Sequence, residues 1–230
     1  MRKFIPNLIT ISNLICGCIA LYMVFNDQLL EASYLIALAG VFDFFDGAAA
    51  RWLSMTSKIG KQLDSLADLV SFGLVPGSLI FHLIENSSLK TFSFIALLIP
   101  ICSAYRLAKF NIDEQQKSHF IGLPTPANSL FFGSFPLIMN FQSDSLFAKL
   151  LYMPEIILFF TVVLSWTLVS KLPLFSFKFS NIKYAENTIR FNFLALSLVL
   201  FITIKFSAIP VLVISYIGYS ALFFKKSIEK

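Results

Sequence analysis

Long apolar runs separated by short polar breaks recur from one end of this 230-residue chain to the other. Eight can be delimited: Asn7 to Phe25, Leu29 to Ala50, Asp64 to His82, Thr91 to Ala108, Pro126 to Phe141, Met153 to Ser170, Phe191 to Ile204 and Pro210 to Phe224. A membrane-crossing helix needs ~20 predominantly apolar residues, so the pattern predicts an all-α, polytopic membrane helix bundle of about eight transmembrane helices. The seventh and eighth runs are short for full spans, which leaves a tilted or re-entrant hairpin open there.

Composition strengthens this reading. Hydrophobic residues make up 57% of the chain and charged residues 13%, with a mean hydropathy of +0.78; soluble domains have roughly 45–50% and about 25%. The net charge of +5 comes from basic residues scattered between apolar runs, so a nucleic-acid partner is not expected and the lipid bilayer is. With both termini on the cytoplasmic side, 15 of the 18 lysines and arginines face inward and only Lys90, Lys149 and Lys205 face outward. That asymmetry is the positive-inside pattern. Asn7, Thr10, Ser12 and Asn13 interrupt the first apolar run, which argues against a cleaved signal peptide. Cys16, Cys18 and Cys102 all lie in apolar runs without metal-ligand spacing and read as buried small hydrophobes. Without linker, repeat or low-complexity tract, residues 1–230 are expected to form one domain.

Four aspartates break the apolar regime in a regular way. Asp43 and Asp46 lie three residues apart, and Gly47, Ala50 and Arg51 continue the same face at helical spacing. Further on, Gly60, Asp64 and Asp68 recur every four residues and form a second face of the same kind. A short connection folds the two faces together, with Lys58 and Lys61 placed in a solvated loop and Arg51 as the fixed counter-charge. Each carboxylate costs ~2.5–3.5 kcal/mol toward a bilayer centre, so a converging group needs cations. Hard divalent ions, Mg²⁺ or Mn²⁺, suit carboxylate oxygens, and two such ions are expected. Capping of the later helix would account for Asp64 alone. Ions held by carboxylates at an interface suit a diphosphate, and the surrounding oil suggests a substrate with acyl chains.

The positions Asp43, Asp46, Gly47, Ala50, Arg51, Gly60, Asp64 and Asp68 together resemble the signature of the CDP-alcohol phosphatidyltransferases. The resemblance implies that a CDP-linked lipid donates its phosphatidyl group to an alcohol and that CMP leaves. It implies Asp43, Asp46, Asp64 and Asp68 as metal ligands, with Asp68 also the catalytic acceptor of the alcohol's proton. Asn7, Gly47, Ala50, Arg51, Ser57 and Gly60 are the implied contacts of the CDP-lipid. For Asn7 the alternative is a plain helix start beside Pro6, and for Ser57 an ordinary polar loop position, with Ser54 and Thr56 as rival hydroxyls. Homodimerisation is common in that family and is carried over only as a possibility.

The acceptor must be read from other segments. "SLADLVSFGLVPGSLIF", "AYRLAKFNID" and "FIGLPTPA" are similar to the membrane-integral phosphatidylserine synthases of bacteria. That likeness implies CDP-diacylglycerol and L-serine as substrates, in the cytoplasmic (inner) membrane of a bacterium, with the active site facing the cytoplasm. Arg106 and Lys109, one helical turn apart, are candidates to bind the serine carboxylate or a lipid phosphate; otherwise they follow the positive-inside rule. Pro124 and Pro126 within "GLPTP" predict either a fixed turn lining the acceptor site or a simple helix start. His82 and His119 are expected to stand away from the acidic faces. The same chemistry with glycerol 3-phosphate, inositol phosphate or choline is the nearest alternative, and a divalent-cation transporter built on the aspartates is the alternative of another class.

Overall fold

A computed structural model describes residues 5–52, 57–112, 120–174 and 184–221. The architecture is helical throughout, apart from one pair of two-residue strands. In chain order the helices are α1 (Ile5–Phe25), α2 (Leu29–Trp52), α3 (Lys58–Asp68), α4 (Val75–Glu85), α5 (Leu98–Ile112), α6 (Thr125–Phe141), α7 (Leu146–Leu151), α8 (Pro154–Val169), α9 (Tyr184–Ile204) and α10 (Ala208–Tyr219). Pro6–Phe25, Lys58–Glu85, Lys90–Ile112 and Arg190–Tyr219 are long and apolar enough to cross a membrane, and α8 is a shorter apolar helix. Large apolar side chains stand exposed on the outer faces, among them Phe44, Phe94, Trp166, Leu198 and Ile202. In water such a surface would aggregate; in hydrocarbon it is matched by its solvent. The protein is a polytopic membrane helix bundle.

The predicted runs are all found as helix, with informative departures. The third run is one continuous helical rod, but Leu69–Leu74 is wound as π-helix between α3 and α4. Pro76 has no N–H to return to the Phe72 carbonyl, and the Val75 N–H donates to Val70 O, five residues back. The fourth run opens with a 3₁₀ segment, Lys90–Leu97, ahead of α5. There Pro100 cannot close an α-turn onto Ala96, and its ring packs where a Cβ on Gly77 would come within 2.7 Å of it.

The last two runs form a hairpin. Lys205 takes a positive φ of 49°, and the rings of Phe193 and Tyr216 lie 6.0 Å apart. A straight rod would separate those two residues by about 35 Å. Gln142, just beyond α6, satisfies the break: its side-chain amide donates to Ile204 O at 3.0 Å, and its oxygen accepts from Ser207 N at 3.0 Å. Helix α9 begins seven residues earlier than the apolar run, because the polar turn from Tyr184 to Arg190 is helical too, with a kink at Asn187. The end of the eighth run near Phe224 lies outside the described residues.

Helix α6 is central, packing against α2, α4, α8, α10 and the π segment. Its Phe131, Phe132 and Phe135 are among the largest fully buried side chains. Gly133 lets α2 approach: a Cβ there would meet Ile36 at 3.1 Å. Ahead of α6, the "GLPTP" stretch docks on the end of α8. Phe120–Ile121 pairs antiparallel with Pro173–Leu174. Gly122 N donates to Leu172 O and Leu123 N to Thr167 O, and Gly122 holds φ +76° where a Cβ would collide with Leu168 O. The turn is therefore fixed, its first two donors are used, and Thr125 and Pro126 form the first turn of α6.

Cys16 is buried and Cys102 half-buried, but Cys18 is exposed on the outward face of α1. For Cys18 the expectation of burial was wrong: its neighbours on that face, such as Ile15 and Ile19, are exposed as well.

Candidate active site

One end of the bundle gathers the start of α1, the end of α2, the start of α3, the end of α5 and the start of α6. Ser57 caps α3, its hydroxyl accepting from Gly60 N at 2.9 Å, so Asp64 stands inside the helix and caps nothing. Four-residue spacing then aligns Gly60, Asp64 and Asp68 along one face of α3. The facing stripe of α2 carries Asp43, Asp46, Gly47 and Ala50.

Asp43, Asp64 and Asp68 converge until one carboxylate oxygen from each lies within 4.8 Å of the other two. Two unit charges about 4 Å apart repel by ~4 kcal/mol at an effective dielectric of about 20, so this cluster calls for positive charge among its oxygens. Asp46 stands beside it, 5% exposed. Asp46 Oδ2 and Asp64 Oδ1 are buried without a hydrogen-bond partner among the described residues. Acceptor oxygens left bare at such a place fit hard cations.

The neighbouring support comes from α1. Thr10, Asn13 and Gly17 share its inward face, and the Asn13 side-chain amide donates to Asp68 Oδ1 at 3.2 Å. Ser71, in the π segment, donates to Asn13 O at 3.0 Å. A Cβ on Gly17 would strike Ser71, so this glycine sets how closely the two elements meet.

Above the carboxylates opens a cavity of about 430 Å³ lined by eleven residues. Asn7, Gly47, Ala50, Ser57 and Gly60, all expected around a CDP-lipid, are in its wall. A Cβ on Gly60 would fall 3.0 Å from Asn7 Oδ1, so bare backbone keeps that wall open. Lys58 and Lys61 also line it. They belong to the first turn of α3 rather than to a loop, and Lys61 Nζ donates to Asn111 O at 2.8 Å. This corrects the expectation of two loop lysines: the helix begins three residues after Met55, because Ser57 caps it. Arg51 continues α2 in register, but its side chain lies outside the described residues, as do Ser54, Thr56 and His119.

Arg106 is 9% exposed, donates from Nη1 to Thr125 Oγ1 at 3.5 Å, and lies within electrostatic reach of Asp68 and Tyr216. Lys109, one turn on, is exposed. His82 is at the far end of the bundle, paired with Asp27 at 2.9 Å, and takes no part in this site. Sequence reasoning missed Thr10, Asn13, Lys58 and Lys61 as site residues. The polar positions of α1 at i, i+3 in an apolar helix were the available signal for the first two.

Comparison with known proteins agrees with this geometry. The profile of the family described as CDP-alcohol phosphatidyltransferase matches residues 3–167. A Bacillus subtilis (strain 168) protein named CDP-diacylglycerol–serine O-phosphatidyltransferase is 37% identical over 180 residues, covering 76% of this chain and 92% of its own. A Methanocaldococcus jannaschii protein of the same name is 37% identical over 154 residues, 66% of this chain and 71% of its own. A Helicobacter pylori (strain J99) protein, also so named, is 34% identical over 124 residues, 53% and 52% of the two chains. The aspartate cluster, the cavity above it and the matched segment coincide, and the chain belongs to the CDP-alcohol phosphatidyltransferase family.

Proposed function

We propose that this protein transfers the phosphatidyl group of CDP-diacylglycerol to the hydroxyl of L-serine, giving phosphatidylserine and CMP. The observation that carries the proposal is a cavity of about 430 Å³ in a membrane bundle, lined by Asp46 and Asp64 at the edge of the convergence of Asp43, Asp64 and Asp68. The names of relatives spanning most of this chain support serine as the acceptor.

Asp43, Asp46, Asp64 and Asp68 are the ligands for two divalent cations, Mg²⁺ or Mn²⁺. When bound, such ions neutralise the diphosphate and the charge that gathers on the departing CMP. The CDP portion lies in the cavity, against Gly47, Ala50 and Gly60, whose small size admits a flat ring and a sugar. Asn7 and Ser57 offer hydrogen bonds there, and Arg51 pairs with phosphate. Lys58 and Lys61 add positive charge at the same wall. The serine oxygen forms its bond to the lipid-bearing phosphorus as the bond from that phosphorus to the CMP oxygen breaks. Asp68 receives the hydroxyl proton, and Asn13 holds its carboxylate in place.

Residues 1–230 act as one domain, with eight spans and both termini cytoplasmic. Arg106, Lys58 and Lys61 gather at the site end, whereas Lys90, Lys149 and Lys205 belong to the far end. This distribution supports a site that faces the cytoplasm, and we place the protein in the inner membrane of a bacterium. A homodimer would form through the exposed apolar helix faces.

The test is CMP release by the purified protein in detergent with CDP-diacylglycerol and Mn²⁺ or Mg²⁺, across L-serine and a panel of other alcohols. Serine-dependent, metal-dependent release that disappears in Asp64→Asn is the expected outcome. Release with another alcohol only would reassign the acceptor.

A further inference from the structure

Beyond the carboxylate cluster and the cavity, the bundle buries a second polar group with unmet hydrogen-bonding capacity. Asn128 is completely buried in α6, and neither its side-chain nitrogen nor its oxygen has a partner among the described residues. Arg106 Nε is likewise buried and unpartnered. An amide with both ends unmet in a membrane protein costs several kcal/mol by general estimates, so a residue of this kind is expected to meet a ligand.

Helix geometry places these groups at the level of the carboxylates. Ile36 of α2 lies against Gly133 of α6, where a Cβ would meet it at 3.1 Å, and this sets the level of the two helices. Asp43 is seven residues along α2 from Ile36, or about 10 Å toward the site end. Asn128 and Thr125 are five and eight residues back along α6 from Gly133, or about 8 and 12 Å toward that same end. The first turn of α6 therefore stands level with Asp43. Thr125 and Asn128, three apart, share a face, and Thr125 already receives the Arg106 guanidinium.

We propose that Arg106, Thr125 and Asn128 form the seat of the acceptor's charged groups, and that Asn128 selects a zwitterionic amino alcohol over other alcohols. The inference rests on the serine reading above and extends it to a residue and a mode of recognition. The guanidinium and the Asn128 N–H bonds face a carboxylate, and Asn128 Oδ1 accepts from the ammonium one carbon away. An amide is suited to this pair because it donates at one end and accepts at the other. The start of a 17-residue helix adds a favourable field for the carboxylate. Held there, the hydroxyl points toward the cluster of Asp43, Asp64 and Asp68. Sites built to hydrogen-bond polar groups reject analogues that lack them, because the protein's own groups are then left bare.

The experiment is steady-state kinetics of the full-length protein in detergent with CDP-diacylglycerol and Mn²⁺. The acceptors are L-serine, ethanolamine, which lacks the carboxylate, and 3-hydroxypropanoate, which lacks the ammonium. For the wild type, each analogue is expected to be poorer than serine in kcat/KM by roughly 10- to 100-fold. Asn128→Leu is expected to raise KM for serine by roughly 10- to 100-fold, leave KM for CDP-diacylglycerol near its wild-type value, and erase the preference over both analogues. Asn128→Asp, nearly isosteric, keeps the ammonium contact and opposes the carboxylate, so it should lose serine yet retain ethanolamine; it decides the matter if the leucine variant does not fold. An unchanged serine KM in either variant overturns the proposal, as does a parallel loss on every acceptor and on the CDP-lipid. A wild type that ignores serine and uses another alcohol overturns the serine reading and this one together.

Discussion

The two ends of the bundle treat their polar groups in opposite ways. At the far end His82 bonds to Asp27, the Asn86 amide donates to His82 O, and Gln142 serves both sides of the α9–α10 break; Ser93 Oγ is an exception among the described residues there. At the site end Asp46 Oδ2, Asp64 Oδ1, Arg106 Nε and both polar atoms of Asn128 have no partner among the described residues. Satisfied groups hold the helices together. Bare acceptors on converging carboxylates fit cations, whereas Ser93 Oγ shows that one orphaned hydroxyl makes no site, so the contrast lies in the clustering of unmet groups at one end.

Substitution at the site end should break activity and spare the fold. Asp43→Asn, Asp64→Asn and Asp68→Asn should each reduce CMP release by about 10²-fold or more. Thermal unfolding in detergent without added metal should be unchanged or shifted upward, because one of several repelling carboxylates is removed. A large loss of stability in these variants would dissolve the contrast.

Asn13→Leu removes the amide that holds Asp68 Oδ1. Activity or metal affinity should fall by roughly 10- to 100-fold, with KM for CDP-diacylglycerol less affected than the metal concentration for half-maximal rate. At the far end Gln142→Leu should do the reverse. Loss of its bonds at Ile204 and Ser207 should lower unfolding free energy by about 1–3 kcal/mol, visible as a lower melting temperature, while turnover per folded molecule is retained. The smallest effect belongs to His82→Phe. Its Asp27 partner is 81% exposed, so the pair contributes no more than ~1 kcal/mol and turnover should not change.

The acidic register was legible because helical spacing alone puts Asp43 with Asp46 and Asp64 with Asp68, and no packing force explains charges in an apolar helix. The helices themselves were legible for the converse reason, since a membrane admits few other arrangements of an apolar run. What stayed hidden depends on contacts distant in sequence. Asn13 meets Asp68 across 55 positions, and the level of Asn128 with Asp43 follows from Gly133 resting on Ile36. Local sequence carries no trace of either. The π and 3₁₀ windings were signalled faintly, by Pro76 and Pro100, but a proline in an apolar run does not say which way the preceding turn will adjust. Lys58 and Lys61 belong to a helix although their charge suggests a loop, because the cap at Ser57 begins α3 just before them.

The π segment after Asp68 has a consequence for how this chain can change over generations. Its wide turn sets the angular phase between the aspartates above it and the buried Val75, Leu79 and Ile80 below it. Loss of a single residue between Leu69 and Leu74 would rotate one half of the rod against the other by about 100°. Either the carboxylates would turn away from their partners on α2 or the lower half would present its lipid face to the core. Point substitutions here are matters of size and polarity, but length in this segment is not free to drift.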